Sequence, residues 1–252
     1  MKPLAFPTAL AVGLLLAASV AQAQDYETQM MENSTELYNN NISAITNGII
    51  NKKMLDDAVA RNNGSRGTTA ATRSAATTRT SFAYVPTATL QKQTADAYVA
   101  KIRATDPAAA STVATGLAGK TNYPALYREL NNGSGLREND AADVMATYML
   151  ENWVIVNGIT DGKLITPAKM QAVRAQTAAI LARNPNLRSA AALAQFGEQL
   201  KLNTAMLEVG RLRAQHDGTS AAYRQKIASQ LQANYHLDMS LLQLTSQGLV
   251  KK

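Results

Sequence analysis

The chain has 252 residues, of which 45 are alanine, 46% are hydrophobic and 17% are charged, and its formal net charge is +7. This apolar content excludes a fully disordered chain, and the scarcity of aromatic residues beside so much alanine argues against a β-sandwich or barrel. The absence of cysteine excludes disulfide scaffolds, cysteine-zinc sites and thiol catalysis, and with two histidines we expect neither a metal nor a cofactor.

Residues 1–23 have the three parts of a cleaved export signal. Lys2 gives a positive start, residues 9–18 are apolar, and Ala21-Gln22-Ala23 is a small-x-small cleavage site. The apolar stretch is too short to span a bilayer comfortably, and no later segment is long and apolar enough for a transmembrane helix. An uncleaved anchor or a buried helix is the alternative. We expect a mature, soluble chain that is periplasmic or secreted.

Residues 24–60 are predicted to form an amphipathic helix separate from the rest. Apolar residues recur at steps of three and four from Met30 to Met54, and residues 25–60 hold six acids and two lysines. Three consecutive asparagines and Gly48 weaken the helix propensity, so this helix needs a partner surface. We expect residues 26–59 either to pack on the rest of the chain or to mediate partner binding or self-association.

Residues 61–80 are predicted to be a flexible linker rich in Arg, Ser, Thr and Ala. The segment has four arginines, no acid and no large apolar residue, so it cannot bury enough surface to offset its ordering entropy. Such arginines would suggest a nucleic-acid-binding arm in a cytosolic protein. After export a solvated tether is favoured, and no nucleic-acid partner is expected.

Residues 81–252 carry repeated signals for helix starts and ends. Gly158 and Gly218 occupy positions that favour helix termination, and Asp161-Gly162 favours a turn, with a small hairpin between 154–159 and 164–165 as one option. The tail 237–250 is apolar but holds Thr245, Ser246 and Gly248, which predicts only partial helix. This pattern predicts an all-α, multi-helix bundle. The predicted start signals are Thr89, Asp106-Pro107, Pro124, Asn139 or Asp140, Thr166-Pro167, Ser189 and Thr219.

The stretch 135–158 (GLRENDAADVMATYMLENWVIVNG) resembles a family of exported bacterial proteins described only as a domain of unknown function. The tail 237–249 is also similar to the family's ending, whereas residues 26–80 have no counterpart there. The resemblance implies an exported, helical bacterial protein, and it brings no activity, ligand or catalytic residue. The residues that carry it are Gly135, Leu136, Asp140, Ala142, Asp143, Tyr148, Trp153, Asn157 and Gly158, with Leu244, Thr245 and Gly248 in the tail.

Asp140 and Asp143 are the only candidates for catalysis that the sequence offers. They lie three residues apart at a predicted helix start, so their side chains share one face. Together with Glu138 they could bind a cation or form an acid/base pair. The alternative is helix capping and a favourable interaction with the helix dipole. A catalytic pair would require one desolvated carboxyl group.

Tyr148, Trp153 and Asn157 lie in the most apolar predicted helix and form a candidate interaction or core cluster. Trp153 is the single tryptophan of the chain, and it could serve as a ligand platform or as a core filler. Gly133-Ser134-Gly135 could form a backbone nest for an anion or a flexible connection between helices.

The charge balance indicates the kind of partner. Residues 162–235 hold ten Lys and Arg against three acids, which favours an anionic partner if these residues share one side, and an ordinary solvated surface otherwise. The sequence therefore predicts a non-enzymatic interaction protein of the cell envelope, with an unknown envelope or secreted partner. The alternative is a carboxylate-dependent hydrolase of an envelope polymer built around Asp140 and Asp143.

Overall fold

The computed structural model describes residues 81–119 and 122–252. The predicted signal peptide (1–23), amphipathic helix (24–60) and linker (61–80) lie outside the described residues. Seven α-helices dominate the described part of the chain, so the predicted all-α, multi-helix architecture is confirmed. They are α1 (Ala88–Thr105), α2 (Pro107–Ala118), α3 (Tyr123–Leu130), α4 (Ala141–Asn157), α5 (Pro167–Leu181), α6 (Ala190–His216) and α7 (Ser220–Tyr235).

Side-chain caps place most of the helix starts. Asp106 accepts a hydrogen bond from an amide of the first turn of α2 at 2.9 Å, and Ser189 does the same for α6 at 3.1 Å. Of the two predicted caps for α4, Asp140 is the one in place. The first start was predicted two residues late, because Thr87 rather than Thr89 caps α1. These amides have no partner inside their own helices, which is why a capping oxygen decides where each helix begins.

Helix α4 is the centre of the larger hydrophobic core. Each residue from Ala141 to Ile155 is buried, and the helix packs against α5, α6 and α7. A helix that is apolar on most sides is stable only when neighbours surround it. Gly158 ends α4 in the left-handed conformation (φ 63°), as its position predicted.

A second, smaller core lies where α1 and α2 pack together and α1 meets α6. Tyr98 and Ile102 of α1 are fully buried there, with Ala110 of α2, Tyr123 of α3 and Leu202 of α6. This core therefore combines large tyrosine rings with small alanine side chains and a few aliphatic residues. The long helix α6 runs past both cores and joins them.

The tail forms a β-hairpin, so the prediction of partial helix there was wrong. A short 3-10 turn at Met239–Leu241 leads into β1 (Leu242–Thr245), which pairs antiparallel with β2 (Gly248–Lys251). Leu242 and Leu244 point into the core and Gln243 points outward, which is the alternation of a half-buried strand. Gly248 has φ 99°, a conformation that favours glycine.

The hairpin considered between 154–159 and 164–165 does not form. Helix α4 continues through Asn157, and Gly162–Leu164 is a 3-10 turn capped by Asp161. The run Val154-Ile155-Val156 has β-branched side chains with a preference for strands. Packing against the surrounding helices outweighs that local preference.

Candidate functional site

Asp140 and Asp143 lie together at the start of α4, as their spacing predicted. Both side chains are fully buried, with 0% exposure. Asp140 Oδ1 accepts the amide N–H groups of Ala142 at 3.1 Å and of Asp143 at 3.2 Å, which is the capping role expected of an N-terminal aspartate. The two carboxylates therefore stabilise the end of the helix and its dipole.

Two arginines from different parts of the chain neutralise this pair. Arg174, on α5, donates from Nε to Asp143 Oδ1 at 2.6 Å and lies 3.5 Å from Asp140 Oδ1. Arg137 donates from Nε to Asp143 Oδ2 at 3.0 Å and also pairs with Asp140. We call these four residues the aspartate cluster. Because Arg174 is itself 5% exposed, its charge requires a buried counter-charge.

The aspartate cluster also holds the beginning of the described chain. The amide of Phe82 donates to Asp140 Oδ2 at 3.0 Å, and Ala141 donates to the Phe82 carbonyl at 2.9 Å. Tyr84 donates its amide to the Asn139 carbonyl at 2.9 Å. Residues 82–84, which we call the entry strap, are thus fixed against the first turn of α4.

This geometry assigns the carboxylates a structural use. Each of their oxygens receives at least one hydrogen bond or ion pair from an arginine or a backbone amide. A general acid or base must come within hydrogen-bond reach of a substrate, and neither Asp140 nor Asp143 has solvent-exposed surface. The arrangement therefore matches capping and charge pairing.

A second buried ion pair lies on α6 and was not found from the sequence. Lys201 Nζ donates to Glu198 Oε1 at 2.7 Å and to Asn139 Oδ1 at 2.6 Å. The phenols of Tyr84 and Tyr123 donate to Glu198 at 3.1 Å and 2.8 Å. We call Glu198, Lys201, Tyr84 and Tyr123 the lysine cluster.

The lysine cluster keeps its tyrosines protonated. Burial, followed by the negative charge of Glu198, raises the pKa of Tyr84 and of Tyr123 well above that of a free phenol. Lys201 Nζ also lies 5.3 Å from the centre of the Tyr84 ring and 5.9 Å from that of Tyr127, close enough for a cation–π attraction. Both phenols therefore act as fixed hydrogen-bond donors, and Tyr84 ties the entry strap to α6.

The missing side chain of Gly197 leaves space for the Tyr84 ring. A substitution at Gly197 therefore tests how much the contact of Tyr84 with α6 stabilises the entry strap. A Cβ at Gly197 would lie 2.3–2.5 Å from atoms of the Tyr84 phenol. We expect Gly197→Ala to displace that ring from Glu198 and to lower the free energy of unfolding by about 1–3 kcal/mol. Chemical denaturation of the full chain measures this, and amide hydrogen exchange at Phe82 and Tyr84 should quicken.

Gly116 supplies the matched control for this substitution. It also lies in a helix, α2, but a Cβ there would meet no atom within 4 Å. Alanine is the better helix former, so Gly116→Ala should raise stability by up to about 1 kcal/mol. Equal effects of the two substitutions would contradict the close packing of Tyr84 on Gly197.

Trp153 and Asn157 bind the C-terminal hairpin. Trp153, 6% exposed, donates its indole N–H to the Leu242 carbonyl at 3.0 Å, and Asn157 Nδ2 donates to the Met239 carbonyl at 3.1 Å. Tyr148 is buried in the same core. Of the two uses considered for Trp153, the structure therefore matches core packing rather than an open ligand platform.

Gln176 of α5 holds the other strand of the hairpin. Its side-chain amide donates to the Leu249 carbonyl at 3.0 Å and accepts the Leu249 N–H at 2.9 Å. These are the two hydrogen bonds that a neighbouring antiparallel β-strand would form with Leu249. A Cβ at Gly248 would lie 2.3 Å from the Gln176 oxygen. Gly248, one of the tail residues that carry the resemblance, is therefore part of this close contact between hairpin and helix.

The glycine-rich loop between α3 and α4 is held by hydrogen bonds between its own residues. Ser134 Oγ donates to Asn131 Oδ1 at 2.8 Å and accepts the Leu136 amide at 3.0 Å. An open groove of about 540 Å³ lies beside the loop and carries both charge signs, with Arg128 paired to Glu138 at 3.0 Å. Of the two roles considered for Gly133-Ser134-Gly135, this arrangement matches a connection between helices. An anion-binding nest needs free backbone N–H groups, and the Leu136 N–H already has a partner inside the loop.

Part of the basic excess of residues 162–235 is used in ion pairs within the protein. Three of its ten cations take part in ion pairs with carboxylates that are buried or nearly so. They are Arg174, Lys201 and Arg211. These three cations already face carboxylates of the same chain, and the sequence-based expectation of an anionic partner concerns the others.

In comparisons with known proteins, no family model, no curated protein and no solved structure matches the chain. Among the described residues, no helix has both the length and the apolar character needed to cross a membrane. The same part of the chain brings no three His, Asp or Glu side chains together in a way that could hold a metal ion.

Proposed function

We propose that this chain is an exported, non-enzymatic interaction protein of the bacterial cell envelope. In this proposal residues 81–252 form a rigid helical platform, and residues 24–60 form the element that contacts a partner or a second copy. The resemblance to exported bacterial proteins, carried by residues 135–158 and the tail, supports the setting.

The observation that carries the proposal is the anchoring of the entry strap. Residues 82–84 directly follow the predicted linker, and they are tied to two buried ion clusters through Phe82 and Tyr84. A tether that presents a binding element needs a fixed point of attachment on the folded part. The carboxylates in these clusters hold that point and are enclosed, which favours an anchoring role over chemistry at Asp140 and Asp143.

Substitutions in the apolar stripe of residues 26–59 test the proposal. We expect Ile42→Ser with Ile49→Ser to remove bound partners or to dissociate an oligomer, because the stripe supplies the apolar contact area. Crosslinking of the mature chain in native envelopes and light scattering of the pure protein measure these two outcomes. Stability measured by denaturation should stay unchanged.

Asn40→Ser with Asn47→Ser is the matched control, because it changes polar positions of the same segment. The control should keep the partners and the oligomeric state of the unaltered protein. If the isoleucine variant also kept every partner and the same oligomeric state, the assignment of residues 26–59 would be wrong. Binding that survives there but is lost after charge reversal on the helical platform would move the interaction surface to residues 81–252.

A further inference from the structure

A third buried charge cluster contains one cation for two carboxyl groups. Arg211 of α6 makes a two-pronged ion pair with Glu208, with Nε 2.6 Å and Nη2 2.7 Å from the carboxylate oxygens. Glu151 of α4 is 5% exposed, and its Oε1 lies 3.7 Å from Arg211 Nε, beyond hydrogen-bond distance. We call these three residues the glutamate cluster.

The two carboxyl groups of the cluster share one guanidinium. Arg211 brings Glu151 beside Glu208, and Glu151 Oε1 has no hydrogen-bond partner among the described residues. A hydrogen bond between two carboxyl groups requires a proton on one of them, since two carboxylates are both acceptors. Arg211 is already committed to Glu208, so the proton belongs with Glu151.

The surroundings of Glu151 favour its neutral form. Burial, followed by the negative charge of Glu208, raises the pKa of Glu151 well above the ordinary value of 4.5, and the charge of Arg211 opposes this only in part. Tyr223 of α7 is a further titratable side chain near Arg211, and its phenol donates to the Leu207 carbonyl at 2.9 Å. Tyr223 fits against Gly210, so α4, α6 and α7 meet around the cluster.

We propose that the glutamate cluster is a proton-binding site that tightens the packing of α4 against α6 at low pH and loosens it as the pH rises. Loss of the proton leaves two buried carboxylates facing one guanidinium, and the contact between Glu151 and Glu208 becomes a repulsion. This device goes beyond the proposed interaction function and does not depend on it.

The direction of the pH effect follows from proton linkage. In the unfolded chain Glu151 ionises near 4.5, whereas the folded chain keeps its proton to a higher pH. Between these two values the unfolded chain holds fewer protons, so each pH unit lowers the folding constant by about tenfold. The stabilisation is complete below the ordinary pKa of the carboxyl group and is lost as the pH rises through the folded value.

Glu151→Gln in the full chain tests this inference. The amide of glutamine can donate to Glu208 at any pH, so the variant lacks the titration. Urea denaturation from about pH 5 to about pH 9 should show the folding constant of the unaltered protein falling relative to the variant, by about tenfold per pH unit until the folded pKa is passed. Dividing the folding constant of the unaltered protein by that of the variant at each pH removes the contributions of the groups that titrate in both proteins.

Glu208→Gln and Glu129→Gln complete the test. Glu208→Gln leaves one carboxylate for Arg211 and keeps Glu151 buried, so stability should fall with pH over a narrower range than in the unaltered protein. Glu129 is exposed on α3, and its variant should keep the slope of the unaltered protein. In the carbon NMR spectrum, the carboxyl signal that Glu151→Gln removes should titrate above the range of the other glutamates. Parallel pH curves for all four proteins, or a Glu151 signal that titrates near 4.5, would overturn the proposal.

Discussion

Asp143→Asn should lower the free energy of unfolding by about 3–5 kcal/mol, because it leaves the buried Arg174 guanidinium without its closest carboxylate. The substitution keeps the size of the side chain, so the loss measures charge pairing rather than a cavity. Domains of this kind are stable by about 5–15 kcal/mol, which makes the effect a large share of the total. The shift of the urea midpoint of the full chain gives the value, provided that the dependence on denaturant keeps its slope.

Asp96→Asn is the control for this charge removal. Asp96 pairs with Lys92 one helical turn away on α1, and both side chains are mostly exposed, at 62% and 75%. Exposed pairs of this kind contribute about 0.2–1 kcal/mol, so the control should change the midpoint little. An Asp143 variant as stable as the Asp96 variant would show that the aspartate cluster does not hold the fold together.

Trp153→Ala is expected to cost about 3–5 kcal/mol, since it removes the largest side chain between α4 and the hairpin. The indole is 6% exposed and is the donor to the Leu242 carbonyl. Without it the hairpin loses both an apolar contact and a hydrogen bond. Thermal denaturation of the full chain measures the total loss, and hydrogen exchange at β1 amides shows whether the hairpin opens first.

Trp153→Phe separates the two contributions. Phenylalanine keeps most of the apolar area but cannot donate to the Leu242 carbonyl, so this variant should lose about 1–3 kcal/mol. A loss equal to that of alanine would mean that the hydrogen bond dominates. If neither substitution changed stability or exchange at β1, the indole would not be the link between α4 and the tail.

The helix starts were predictable because their signals are local. A capping side chain accepts hydrogen bonds from amides within a few residues of itself, as Asp106 and Ser189 do, so spacing along the chain is enough to find it. The prediction of Thr89 for α1 missed the cap by two residues, because the hydroxyl of Thr87 can accept such a bond equally well. The hairpin was missed because β1 and β2 depend on α4 and α5, which lie far away in the chain.

The buried clusters were not predictable for the same physical reason. Spacing placed Asp140 and Asp143 on one face, but Arg174, which neutralises them, lies on the next helix. Glu198 and Lys201 stand three apart on α6, a pattern that usually marks an exposed pair. Their burial follows from tyrosines contributed by the entry strap and α3, and nothing in the local sequence indicates those partners.

The two ends of the described chain are attached to opposite ends of one helix. The entry strap is bonded to the first turn of α4, and Lys252 reaches Asn157 in its last turn at 3.3 Å. With 17 residues, α4 separates the two attachments by about 25 Å. The entry strap and the C-terminal residue therefore share one buried helix as their support, so a substitution that loosens α4 would release both attachments.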